Sequence, residues 1–80
     1  MEESPMIIYV NDALDGLMML ELSSSATLTD VKKKIAEKGG RTDKNTKYIA
    51  NGKAVSGSQR LRDQGVKAGS TLYPVHLRIN

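Results

Sequence analysis

The residues best suited to acid–base or metal chemistry are one histidine, His76, and two neighbouring aspartates, Asp12 and Asp15; neither arrangement is sufficient for catalysis. Covalent catalysis needs a nucleophile with a positioned base, and paired-carboxylate chemistry needs a concave site to hold both acids. His76 has no cysteine to activate, because the chain has none, and 80 residues cannot enclose a sizeable pocket as well as a core. The chain is therefore read as non-enzymatic, and no cofactor is implied. Asp12 and Asp15 fall short of the ligand count of a hard cation and are better explained by turn chemistry. His76, a lone histidine near the end of an expected strand, is read as a half-buried or surface residue more readily than as a pH sensor. Without cysteine there is also no disulfide framework and no thiolate zinc site, which fits a reducing compartment.

The remaining charge is lysine-rich. A net charge of +3 with Lys32, Lys33 and Lys34 in a row can attract an acidic partner, but three tyrosines without Phe or Trp offer few platforms for stacked bases. Nucleic acid is thus disfavoured as a ligand. The longest apolar run, Met6 to Val10, is far shorter than the roughly 20 residues of a membrane span, so no membrane partner is expected. With so few aromatic residues, the core is expected to be aliphatic.

The elements that must position these groups follow from periodicity. A short polar lead, residues 1–5, precedes Met6-Ile7-Ile8-Tyr9-Val10, a β-branched run that predicts a strand with Met6, Ile8 and Val10 on one face. Asn11 to Gly16 is a turn, and Leu17 to Leu22 returns with Met18, Leu20 and Leu22 alternating against Leu17, Met19 and Glu21. Thr27 is placed to cap a helix with Asp30 three residues on. Leu28, Val31 and Ile35 form the apolar stripe of that helix, and Gly39-Gly40 ends it. Lys47 to Ala50 and Lys53 to Val55 flank Asn51-Gly52, the dipeptide most typical of a type I′ hairpin turn. Leu61 and Val66 anchor the polar loop that follows, and Thr71 to Ile79 is the last strand.

Those features in that order resemble ubiquitin. The resemblance is carried by Met6-Ile7-Ile8-Tyr9-Val10, Leu20-Glu21, Thr27, Val31-Lys32, Lys34-Ile35, Lys38 and Gly40, then by Ile49, Gly52-Lys53, Leu61 with Asp63, and Gly69-Ser70-Thr71-Leu72. It covers nearly the whole chain and implies an α+β β-grasp fold over residues 6–80: ββαββ plus a final strand at the centre of a mixed sheet, with one helix across it. It also implies a non-catalytic, monomeric protein-interaction module of the cytoplasm or nucleus, the N-terminal domain of a larger protein. Its partners would be ubiquitin-binding-type helices or proteasome receptors.

By position, the shallow patch through which such domains are bound falls on Ala13, Ile49 and Val75, with Tyr73 and Lys47 beside them. Read from alternation alone, Ile49 suits the core equally well. Pro74 complicates the last strand, because proline removes a ladder donor from what should be a central position. A bulge there would turn Val75 inward and bring His76 into the patch instead.

Conjugated members of the family end in a di-glycine tail, whereas this sequence ends Leu77-Arg78-Ile79-Asn80. A modifier lacking its tail is therefore the alternative reading. Lys32, Lys34, Lys38 and Lys53 occupy positions that accept conjugation in the family, although surface lysines on a helix are more simply explained by solubility and helix propensity.

Overall fold

A computed structural model describes residues 4–76. The elements run β1 (Pro5–Asp12), β2 (Gly16–Ser23), α1 (Leu28–Glu37), β3 (Thr46–Ala50), β4 (Lys53–Ala54), a 3₁₀ turn (Leu61–Gln64) and β5 (Thr71–His76). The strands form one mixed sheet in the order β2-β1-β5-β3-β4. β1 pairs antiparallel with β2 and parallel with β5, which puts the first and last strands side by side at the centre, as expected. β1 begins at Pro5, one residue before the expected start. The expected tail, Leu77 to Asn80, lies outside the described residues.

Alternation decides which face of the sheet is covered. Met6, Ile8 and Val10 of β1, Leu20 and Leu22 of β2, Tyr48 and Ala50 of β3 and Leu72 of β5 point to the helix side and are buried. From the other side of that layer come Leu28, Val31 and Ile35, the apolar stripe of α1, with Leu61 and Val66 from the long loop. The Asp30 carboxylate accepts the Thr27 amide at 2.9 Å, which holds the start of the helix. Asn51 and Gly52 both take positive φ, 54° and 77°, as the tight β3–β4 turn requires.

Tyr48 corrects the expectation of an aliphatic core. It is among the largest fully buried side chains, and its hydroxyl lies 2.9 Å from the Thr42 hydroxyl. A phenol is tolerated in an interior when its polar end finds such a partner. Burial raises the Tyr48 pKa above its ordinary value and outweighs the opposing Thr42 hydrogen bond; nearby Asp12 and Asp43 reinforce the rise.

No bulge forms at Pro74. β3 and β5 pair without interruption from Thr46–His76 through Tyr48–Pro74 to Ile49–Tyr73. Two hydrogen bonds explain how proline fits. The Tyr48 carbonyl accepts from Val55 N at 2.8 Å, so Tyr48 turns its backbone groups toward β4 and asks nothing of the residue opposite. On the other flank, the Ser70 carbonyl accepts from Tyr9 N at 2.9 Å, which directs the even-numbered residues of β5 toward β1. The donor that Pro74 lacks would therefore face β1, beyond Leu72, where the parallel ladder has already ended.

Gly40 is the tightest backbone position behind the helix. A Cβ there would collide with the Met18 Cε and approach the Ile35 Cγ2 to 2.7 Å. Gly40→Ala is expected to lower the unfolding free energy by about 1–3 kcal/mol, the usual cost of overpacking. Gly57→Ala, at a position with open space around it, serves as the control, and urea titration of both variants measures the difference.

Candidate docking face and its polar anchor

The uncovered face of the sheet carries the expected patch residues. Lys47 and Ile49 of β3 alternate against buried Thr46, Tyr48 and Ala50. Across the ladder, Ile49 pairs with Tyr73 and Lys47 with Val75. Tyr73 is 50% exposed and Val75 is 43% exposed, so Val75 remains on the outer face and does not turn inward. Ile49 is half-buried, seated between Tyr73 on one side and Ala54 of β4 on the other. It is thus neither a core residue nor a fully exposed one. Ala13 is exposed in the β1–β2 turn.

His76 does not join this group. Its place on the strand, one residue beyond Val75, sends its side chain to the helix side, where the Nε2 atom lies 2.7 Å from the Asp12 carboxylate. An ionised carboxylate only accepts, so Nε2 carries the proton of this bond. The other ring nitrogen, Nδ1, lies 3.3 Å from the Thr46 hydroxyl. Thr46 in turn donates to the Asp43 carboxylate at 3.3 Å and accepts the Asp43 amide at 3.1 Å. Asp12 is only 3% exposed and also accepts the Leu14 amide at 2.8 Å. The network ties the end of β1 to the end of β5 and holds the first turn of the Ala13–Asp15 loop.

Sequence reasoning gave Asp12 a role in turn chemistry, which the Leu14 bond bears out. The His76 partner was not visible, because the two residues stand 64 positions apart. Asp15 is engaged separately, accepting the Arg41 amide at 2.7 Å.

Threonine, histidine and aspartate in a row have the composition of a hydrolytic relay, but their environment rules out that chemistry for these three residues. The Thr46 residue is 2% exposed, and its hydroxyl is committed to Asp43, so no substrate carbonyl can reach it. The arrangement instead functions as a polar clamp. Burial alone would raise the Asp12 pKa. The His76 hydrogen bond, the Leu14 amide and the attraction of His76 outweigh burial, with a smaller contribution from the Asp15 amide, and hold the carboxyl below its ordinary value of 3.8.

The sheet order, the single crossing helix, the central parallel pair and the exposed β3–β5 face together define a ubiquitin-like β-grasp domain. A family model of the NUB1 ubiquitin-like domain matches residues 12–74, and the chain belongs to that family. A search of curated proteins returned no match.

Because the native pKa of Asp12 lies below its unfolded value, the clamp contributes stability that is full above pH 3.8. That stability is lost as the pH falls through 3.8 and then through the lower native value. Asp12→Asn is expected to flatten this part of the acid limb in urea titrations across pH. His76→Ala is expected to cost about 1–3 kcal/mol near neutral pH by stranding a buried carboxylate.

Proposed function

We propose that this domain is a non-catalytic docking module recognised by other proteins of the ubiquitin pathway through the outer face of β3 and β5. The observation that carries the reading is the juxtaposition of half-buried Ile49 with exposed Tyr73 and Val75, with Lys47 paired to Val75. Such a face suits the apolar side of a short amphipathic helix, of the kind found in ubiquitin-binding modules and proteasome receptors.

The face is small. Each apolar side chain it buries contributes roughly 1.5–3 kcal/mol before the entropic costs of association, so dissociation constants in the micromolar range or weaker are expected, about −8 kcal/mol at most. The working unit is residues 6–80, monomeric and serving as the N-terminal domain of a larger protein in the cytoplasm or nucleus. His76 contributes indirectly: through Asp12, which also accepts the Leu14 amide, it holds the turn that carries Ala13.

A heteronuclear NMR titration with a ubiquitin-binding helix tests this reading. Shifts are expected at Ile49, Ala13 and the Tyr73 to Val75 segment, and Ile49→Ala is expected to weaken binding by roughly tenfold or more. Undiminished binding by Ile49→Ala, or no shifts at millimolar helix, would refute the assignment of the face.

A further inference from the structure

The two edges of the sheet are built differently. On one side, β4 is only two residues long and carries Lys53, a short and charged ending of the kind that discourages pairing with another chain. On the other side, β2 is eight residues long, pairs with β1 in unbroken register, and contains neither proline nor lysine. Its outer-face side chains Leu17 and Met19 are 66% and 57% exposed.

The backbone of this edge is open as well. Tyr9 N donates to the Ser70 carbonyl at 2.9 Å and Gly69 N to the Ile7 carbonyl at 2.7 Å, so the odd-numbered residues of β1 face β5. The even-numbered residues, Ile8 and Val10, therefore face β2, where they pair with Leu20 and Met18. It follows that Leu17, Met19 and Glu21 direct their amides and carbonyls away from the sheet, where no described strand lies.

Charge indicates what fits there. The first 31 residues contain no lysine or arginine but do contain Glu2, Glu3, Asp12, Asp15, Glu21 and Asp30; every cation of the chain comes later. Glu21 stands on the outer face of β2 and forms no ion pair among the described residues. The depression between β2 and α1 is lined by Glu21 and Asp30 against one ammonium, Lys34.

We infer that the β2 edge receives an extended segment of another protein that adds as an antiparallel strand and carries a lysine or arginine opposite Glu21. Read from N to C terminus, the segment presents cation-x-apolar-x-apolar. Its cation lies across from Glu21 and its two apolar residues lie across from Met19 and Leu17. The added backbone bonds supply the register, and the alternating side chains supply the choice of partner. This surface is separate from the β3–β5 face.

The test uses the whole chain and an acetylated, amidated peptide, Gly-Lys-Thr-Val-Thr-Val-Gly, with a control bearing Glu in place of Lys, followed by NMR shifts and amide exchange at low salt. The lysine peptide is expected to shift the amides of Leu17, Met19 and Glu21 and slow their exchange, and to bind about threefold or more tightly than the control. Met19→Lys is expected to weaken it, and Glu21→Lys to reverse the order of the two peptides. Both positions are exposed, so both variants keep the fold.

Equal binding of the two peptides, absence of shifts at millimolar peptide, or shifts confined to the Ile49 face would overturn the inference. So would concentration-dependent protection of the same amides in the protein alone, which would make a second copy the occupant. None of these results bears on Ile49→Ala, so failure here is distinguishable from failure of the docking-face reading.

Discussion

A helix of ten residues, helped by Leu61 and Val66 of the long loop, covers a sheet of five strands on one side only. Each strand must therefore divide its side chains between a covered face and a wet one, and the two-residue period of extended chain makes that division rigid. Met6, Ile8 and Val10 cannot be buried without sending Ile7 and Tyr9 outward; Tyr48 cannot fill the core without sending Lys47 and Ile49 outward. The composition of the wet face is thus the part of the sequence least dictated by folding. Where that face is apolar, at Ile49, Tyr73 and Val75 and again at Leu17 and Met19, burial in the core does not explain the choice.

The same constraint makes register at β5 matter. A slip of one residue would exchange Val75 with His76 and replace an apolar surface by an imidazole. Pro74 is compatible with the regular register because its missing donor points past the end of the β1–β5 ladder. What the ladder no longer supplies at that end, side chains supply. Asp12 and His76 join the two strands beyond the last backbone pair, and Thr46 joins β3 to the same histidine. A buried, hydrogen-bonded ion of this kind adds less to stability than its short distance suggests, since desolvation takes back much of the attraction. Its contribution lies in fixing where the Ala13–Asp15 turn stands.

Much of this fold was legible in the residues because the local signals agreed with one another. Alternation placed Met6, Ile8 and Val10 correctly, the Thr27 and Asp30 spacing marked the helix start, and Asn51-Gly52 marked a hairpin with both residues at positive φ. The misreadings share one cause, a partner that the alternation of the strand does not reveal. Proline in a central strand reads as a bulge until it is known which neighbour the absent donor would have faced. Tyr48 is left out of an aliphatic core until Thr42 is seen to share a hydrogen bond with its hydroxyl, and His76 reads as a passive histidine or a patch member until Asp12 is seen beside it. Ile49 could be sorted from Tyr48 only once the covered face was known.

Charge is distributed along the chain with the same lack of regard for folding. The hairpin of β1 and β2 has carboxylates and no cation, while the helix and everything after it hold all the lysines and arginines. A domain this small gains little stability from such segregation, because exposed charges separated by more than about 8–10 Å are screened at physiological salt. Segregation does give the molecule an electrostatic orientation, with an acidic β2 edge and basic flanks elsewhere. Lys47 borders the Ile49 face and Glu21 borders the β2 edge, so the two apolar surfaces present opposite charges to an approaching chain. A segment suited to one is repelled at the rim of the other. For the two contacts proposed above, that difference would keep them distinct without enlarging either of them.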